Sequence, residues 1–145
     1  MTKNNNRIRQ SANTKQYSME RYRTYADVIT RYKNAMSSEF YLEAITLMES
    51  IIADRLESYL IRKTGNKAHA FKTLEKLIRG LKNSNDVLMP IQDIENWKNS
   101  RNMFLHEMAK IEDGKYEDFQ TKYYDAKQCA EDGMKLFRMV DAICK

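Results

Sequence analysis

Apolar residues recur along this chain at spacings of three and four, the period of a helix with one buried face. Leu42, Ile45, Met48, Ile52, Leu56 and Tyr59 form one such stripe, with Ser37 or Ser38 as the expected N-cap and Gly65 as the expected stop. Phe71, Leu74, Leu77, Ile78 and Leu81 mark a second helix that closes at Lys82-Asn83-Ser84-Asn85. The only proline, Pro90, suits the first turn of a third, whose stripe is Ile91, Ile94, Trp97, Phe104 and Met108 and whose expected end is Gly114. Phe119, Tyr123, Ala126, Ala130, Phe137, Val140 and Ile143 define the last. Upstream, Tyr17, Tyr22, Tyr25, Ile29 and Tyr32 predict a short helix with an aromatic face and interleaved arginines. That face suits core packing first and base stacking second.

No segment alternates with period two for long enough to be a strand, and four glycines plus one proline are too few to punctuate a sheet protein. The expected fold is therefore all-α: an up-and-down four-helix bundle with an N-terminal helical extension. At 145 residues the chain is read as a flexible basic arm over 1–16 followed by one domain over 17–145. No apolar run approaches the ~20 residues needed to span a bilayer, and the first residues lack the apolar region of a signal peptide. Cys129 and Cys144 lie fifteen apart in one predicted helix, about 22 Å along its axis, so they cannot bridge there. Two reduced thiols in a cytoplasmic protein is the expectation.

Charge changes this picture more by its placement than by its total of +5. Residues 1–33 carry eight basic side chains against two acids, and the rest of the chain holds 17 against 18. A basic arm on a near-neutral body is the footprint of polyanion binding, because each neutralised phosphate releases counterions. Arg7, Arg9, Arg21 and Arg23 are the candidate RNA-binding residues; a solubilising tail is the other use of such an arm.

The candidate chemistry lies in the third long stripe, at Ser100-Arg101-Asn102-Met103-Phe104-Leu105-His106. On a helix Asn102 and His106 are four apart and share a face, whereas Arg101 stands about 140° from His106. Arg101 is also four residues past Trp97, beside the apolar seam, where a cation must snorkel, pair with an acid or meet a ligand. The residue types suit RNA transesterification without a metal. An imidazole, with an ordinary pKa near ~6.5, can take the 2′-hydroxyl proton. A guanidinium can stabilise the charge growing on phosphorus, because its planar fork matches phosphate oxygens. Asn102 is placed to position either neighbour.

These residues resemble the ribonuclease motif of the HEPN domain family, in which Arg is followed by four to six residues and then His, often with Asn directly after the Arg. The four-residue form matches here, and the likeness extends over the bundle from about residue 38 to 144. The resemblance implies metal-independent endoribonuclease activity by homodimers that join two copies of the motif, without a cofactor, in proteins that are often toxins or antiviral effectors. An antitoxin or a defence-complex partner is implied with it. One departure is visible: the Tyr that toxin members carry two residues after the His is Met108 here, so control by nucleotidylation at that position is not expected, and Tyr116 is too distant to replace it.

Arg62 and His69 also satisfy the loose spacing, but Lys63 follows that Arg and the segment crosses the Thr64-Gly65-Asn66 break, so the pair is read as outside the motif. Glu49, Asp54 and Glu57 are read as a solvated helix face, although one of them could face Arg101 across the bundle as an orienting carboxylate. The methionines that fall in or beside the stripes are read as core filler. Two isolated histidines give no metal site, and no Gly-rich loop is present to cradle a nucleotide. The rival reading is a non-catalytic helical module that binds RNA or a protein partner, as a subunit of a larger defence complex, with Arg101 paired to an acid at an interface.

Overall fold

Helix α1 spans Lys15–Ser37, α2 Tyr41–Thr64, α3 Leu74–Asn83, α4 Ile91–His106 and α5 Phe119–Cys144, with a short 3-10 turn at Lys67–His69. They are taken from a computed structural model, which describes residues 7–10 and 15–145. The expectation of a flexible arm over 1–16 thus falls mainly outside the described residues. Among those residues the fold is all-α, with no strand beyond a single bridge between Glu112 and Lys115. Among the described residues no helix is long and apolar enough to cross a membrane.

Side-chain contacts fix the helix directions. Tyr41 meets Tyr123, Met48 lies by Gly133 and Arg55 pairs with Asp141, so α2 and α5 run parallel. Tyr25 meets Phe137 and Tyr32 donates to the Ala130 carbonyl, which sets α1 antiparallel to α5. Trp97 donates to the Cys129 carbonyl while Lys122 reaches the Met108 carbonyl, so α4 is antiparallel to α5 as well. The long helices α1, α2, α4 and α5 therefore alternate up and down. The helix expected as an N-terminal extension lies along the bundle as one of its four long members, and α3 is the short insertion between α2 and α4.

Helix α2 supplies the centre of the core, with Ile45, Met48, Ile52, Leu56 and Leu60 fully buried against Val140, Ala130 and Ala126 of α5. Gly133 permits this close approach: a Cβ there would stand 2.8 Å from Trp97 Cζ2 and 3.1 Å from Met48 Cβ. The stripe read from α1 is only partly internal, since Tyr17 and Tyr32 are buried but Tyr22 is exposed. Both cysteines are free and buried.

The helix ends depart from expectation in two places. Neither Ser37 nor Ser38 caps α2: α1 continues to Ser37, and the residue ahead of α2 is Phe40, which makes no side-chain cap. Gly65 does close α2, in the left-handed conformation and with its N–H on the Ile61 carbonyl. Helix α4 stops at His106 rather than at Gly114. Lys122 of α5 donates to the Met108 and Lys110 carbonyls just past that end, and Gly114, at φ +76°, instead turns the Glu112–Lys115 loop.

Candidate active site

Ile94, Trp97 and Phe104 form the buried face of α4, and Arg101 falls at the edge of that face, turned toward α2. There its Nη2 lies 2.7 Å from Glu49 Oε1, with side chains 11% and 26% exposed. The reading of Glu49, Asp54 and Glu57 as a solvated face is thus corrected: all three are in ion pairs, Glu49 with Arg101 and the other two with Arg9. Arg101 Nε is buried without a hydrogen-bond partner among the described residues. Its charge also reaches α5, where burial, helped by Asp132 and opposed by Arg101, pushes the Cys129 thiol up to about 12.

Asn102 is half-buried and His106, the last residue of α4, is exposed; neither side chain hydrogen-bonds to a described residue. The three motif residues therefore occupy one unbroken helix but two settings. Arg101 is anchored in the α2–α4 seam, and the imidazole stands free at the helix end. Met108, two residues on, packs partly against the core.

The four candidate RNA-binding arginines differ in how much charge they leave for a ligand. Arg9 turns inward: Nη1 pairs with Asp54 Oδ1 at 2.8 Å and with Glu57, and Nη2 donates to the Tyr17 hydroxyl and the Asp54 carbonyl. Burial lifts the Glu57 carboxyl above the usual range despite Arg9 and a hydrogen bond from the Phe71 N–H. Arg7 is exposed and lies over the Phe71 ring at 4.2 Å. Arg21 is half-buried over Tyr17, and Arg23 is exposed.

Arg62 and His69 do not come together as a pair. Arg62 donates to the Cys144 carbonyl at 3.3 Å, while His69 is buried in the 3-10 turn, where Gly80 of α3 leaves it room. A polar group not singled out in the sequence is Asp86, which accepts from Lys63 Nζ at 2.6 Å, from the Tyr59 hydroxyl and from the Leu88 and Met89 N–H groups. Its only sequence signal is a lone acid in a polar turn.

A cleft of about 550 Å³ between α4 and α5 presents Trp97, Met103 and Met139 with Asp93, Asp125 and Asp132 around them. Arg101, Asn102 and His106 do not line it. Among the described residues no three His, Cys, Asp or Glu side chains converge on a metal position. No protein-family model matches the chain, and no curated protein or solved structure matches it.

Proposed function

We propose that this protein is a metal-independent endoribonuclease of the HEPN type that acts as a homodimer. The observation that carries the reading is the setting of Arg101: a cation held at a helix seam by one carboxylate, on the same α-helix as Asn102 and a free His106. In this mechanism neutral His106 takes the proton of a 2′-hydroxyl, O2′ attacks phosphorus, and the P–O5′ bond breaks as the 5′-oxygen takes a proton from water. Arg101 offsets the charge on the phosphorane oxygens, and Asn102 positions the phosphate. A general base contributes about 10²–10⁴-fold, and a lost transition-state donor costs on the order of 10²–10³-fold, so these groups suffice for a useful nuclease. Pairing two copies answers the divergence of the buried Arg101 and the exposed His106 by bringing two of each to one cleft. A toxin or antiviral effector, with an antitoxin or defence-complex partner, is the corresponding cellular role.

Wild-type protein and its His106→Ala variant incubated with total RNA in EDTA test the proposal. The expected result is cleavage by wild type alone, leaving 2′,3′-cyclic phosphate ends. A requirement for Mg²⁺, or equal cleavage by the variant, overturns it. One observation favours a second reading, a non-catalytic module that binds RNA or protein: the Glu49 pair already satisfies part of the Arg101 charge within one copy. Binding of RNA by both proteins with cleavage by neither is its signature.

A further inference from the structure

The clefts of this bundle differ sharply in sign. The one between α4 and α5 carries three aspartates and one lysine, Lys135. Another, of about 560 Å³, opens where the 3-10 turn after α2 lies against α3, and its lining includes no Asp or Glu. Lys72, Lys76 and Arg79 enter it together with His69, Asn66 and Asn83.

The sequence builds this wall simply. Leu74, Leu77, Ile78 and Leu81 turn one face of α3 into the core, which leaves Lys76, Arg79 and Asn83 at helical spacing on the opposite face. Gly80 sits between them, and the absent side chain gives His69 its place: a Cβ there would meet His69 Cε1 at 3.1 Å. Neighbouring Lys63 and Lys82 are engaged by Asp86 and Glu95, but Lys72, Lys76 and Arg79 form no ion pair with any described residue. Three cations without counterions around one concave space repel one another, and an anion bound among them removes that cost.

We infer that the cleft formed by Lys72, Lys76, Arg79, His69, Asn66 and Asn83 is a binding site for phosphate groups, separate from the Arg101 motif. Its ligand is either the backbone of single-stranded RNA or the phosphate of a free nucleotide. Lys76 and Arg79 supply charge at the mouth. Asn83 adds an amide donor, and Lys72, 3.4 Å from His69 Nδ1, supplies charge beside the buried imidazole. Burial first, and then Lys72, hold that imidazole below its ordinary pKa, so a bound anion that offsets Lys72 raises it. The site stands without the nuclease reading, because nothing in it depends on catalysis.

The test follows the ring proton of His69 by NMR, resolved from that of His106, the other histidine. Inorganic phosphate, adenosine 5′-monophosphate and a short single-stranded RNA are titrated separately into the full chain and into a Lys76→Ala/Arg79→Ala variant, both positions being exposed. At least one probe is expected to shift His69 saturably in wild type, with affinity about tenfold or more weaker in the variant. If RNA shifts His69, and the log–log salt slope falls by about 1.4 in the variant, two backbone phosphates are the ligand. If phosphate or the mononucleotide shifts it and RNA does not, the ligand is a free phosphate compound. The assignment is overturned if no probe moves His69, or if the variant titrates like wild type.

Discussion

Removing Glu49 tests whether Arg101 is held by a working ion pair or merely lies near an acid. Both side chains are largely shielded, and Arg101 Nε has no partner among the described residues to compensate, so Glu49→Ala strands a cation in the α2–α4 seam. Breaking a buried pair from one side costs about 3–5 kcal/mol, and the residual exposure of Glu49 brings the expectation down to about 2–3 kcal/mol. Arg101→Met keeps the aliphatic stem and leaves Glu49 with its access to water, so it should cost less, about 1 kcal/mol. The double variant should then resemble Arg101→Met, giving a coupling of about 2–3 kcal/mol. Urea denaturation of the four proteins measures this, and the Glu49→Ala midpoint should fall by about 4–12 °C in a thermal scan. A coupling below about 0.5 kcal/mol would refute the reasoning and make the pair a screened surface contact. The same proteins inform function: a folded Arg101→Met variant that no longer cleaves RNA separates loss of chemistry from loss of structure.

Two further outcomes follow from single contacts. Gly133→Ala should cost about 1–3 kcal/mol, because the new methyl must displace Trp97 or Met48 in a filled core; fluorescence of the only tryptophan should report the shift, and an unchanged spectrum with unchanged stability would contradict the packing. Asp86→Asn should cost about 2–4 kcal/mol by leaving Lys63 without its counterion. Burial raises the Asp86 carboxyl, but hydrogen bonds from Lys63, Tyr59 and Met89 outweigh it, so the folded-state pKa lies below the ordinary value of 3.8. The stabilisation it contributes is complete above the unfolded-state pKa and disappears as pH falls through the folded-state one, so the gap between wild type and Asp86→Asn should begin to narrow as pH falls to about 4 and vanish below the folded-state pKa. A gap that persists there would assign the loss to packing instead.

The helices and the main core positions could be read from spacing, since burying one face of a helix writes a period of 3.6 into its sequence. Their ends could be read only where the cap is local. Gly65 is such a case, because a left-handed stop needs one residue that tolerates positive φ. The end of α4 is not, because the group that holds the chain just past it, at the Met108 and Lys110 carbonyls, is Lys122 on the next helix. The same difference governs the charges. Arg101 was legible as a cation beside an apolar seam and Glu49 as one of three acids that could face it, but which of the three does so was not, because an acid on a helix face looks solvated until another part of the chain covers it. Glu49 and Glu57 both belong to this class. Arg9 read as part of a solvent-facing basic segment for the corresponding reason: the carboxylates that engage it are more than forty residues away.

The positions of the phosphate cleft and the Arg101 motif within the bundle set what a single RNA must do to use both. The start of α2, the start of α5 and the chain just past α4 meet at one end, where Tyr41 contacts Tyr123 and Lys122 reaches the Met108 carbonyl. His106 belongs to that end. The phosphate cleft includes Thr64, at the other end of α2. At about 1.5 Å per residue, α2 separates these ends by roughly 35 Å, with the Arg101–Glu49 pair between them. A dinucleotide cannot bridge that span, whereas an extended single strand can. If one copy carries both sites on one strand, removing Lys76 and Arg79 should therefore weaken cleavage of long RNA through KM and leave turnover of a dinucleotide unchanged. If the dinucleotide slows equally, the cleft acts through the fold of α3 and not through the substrate backbone.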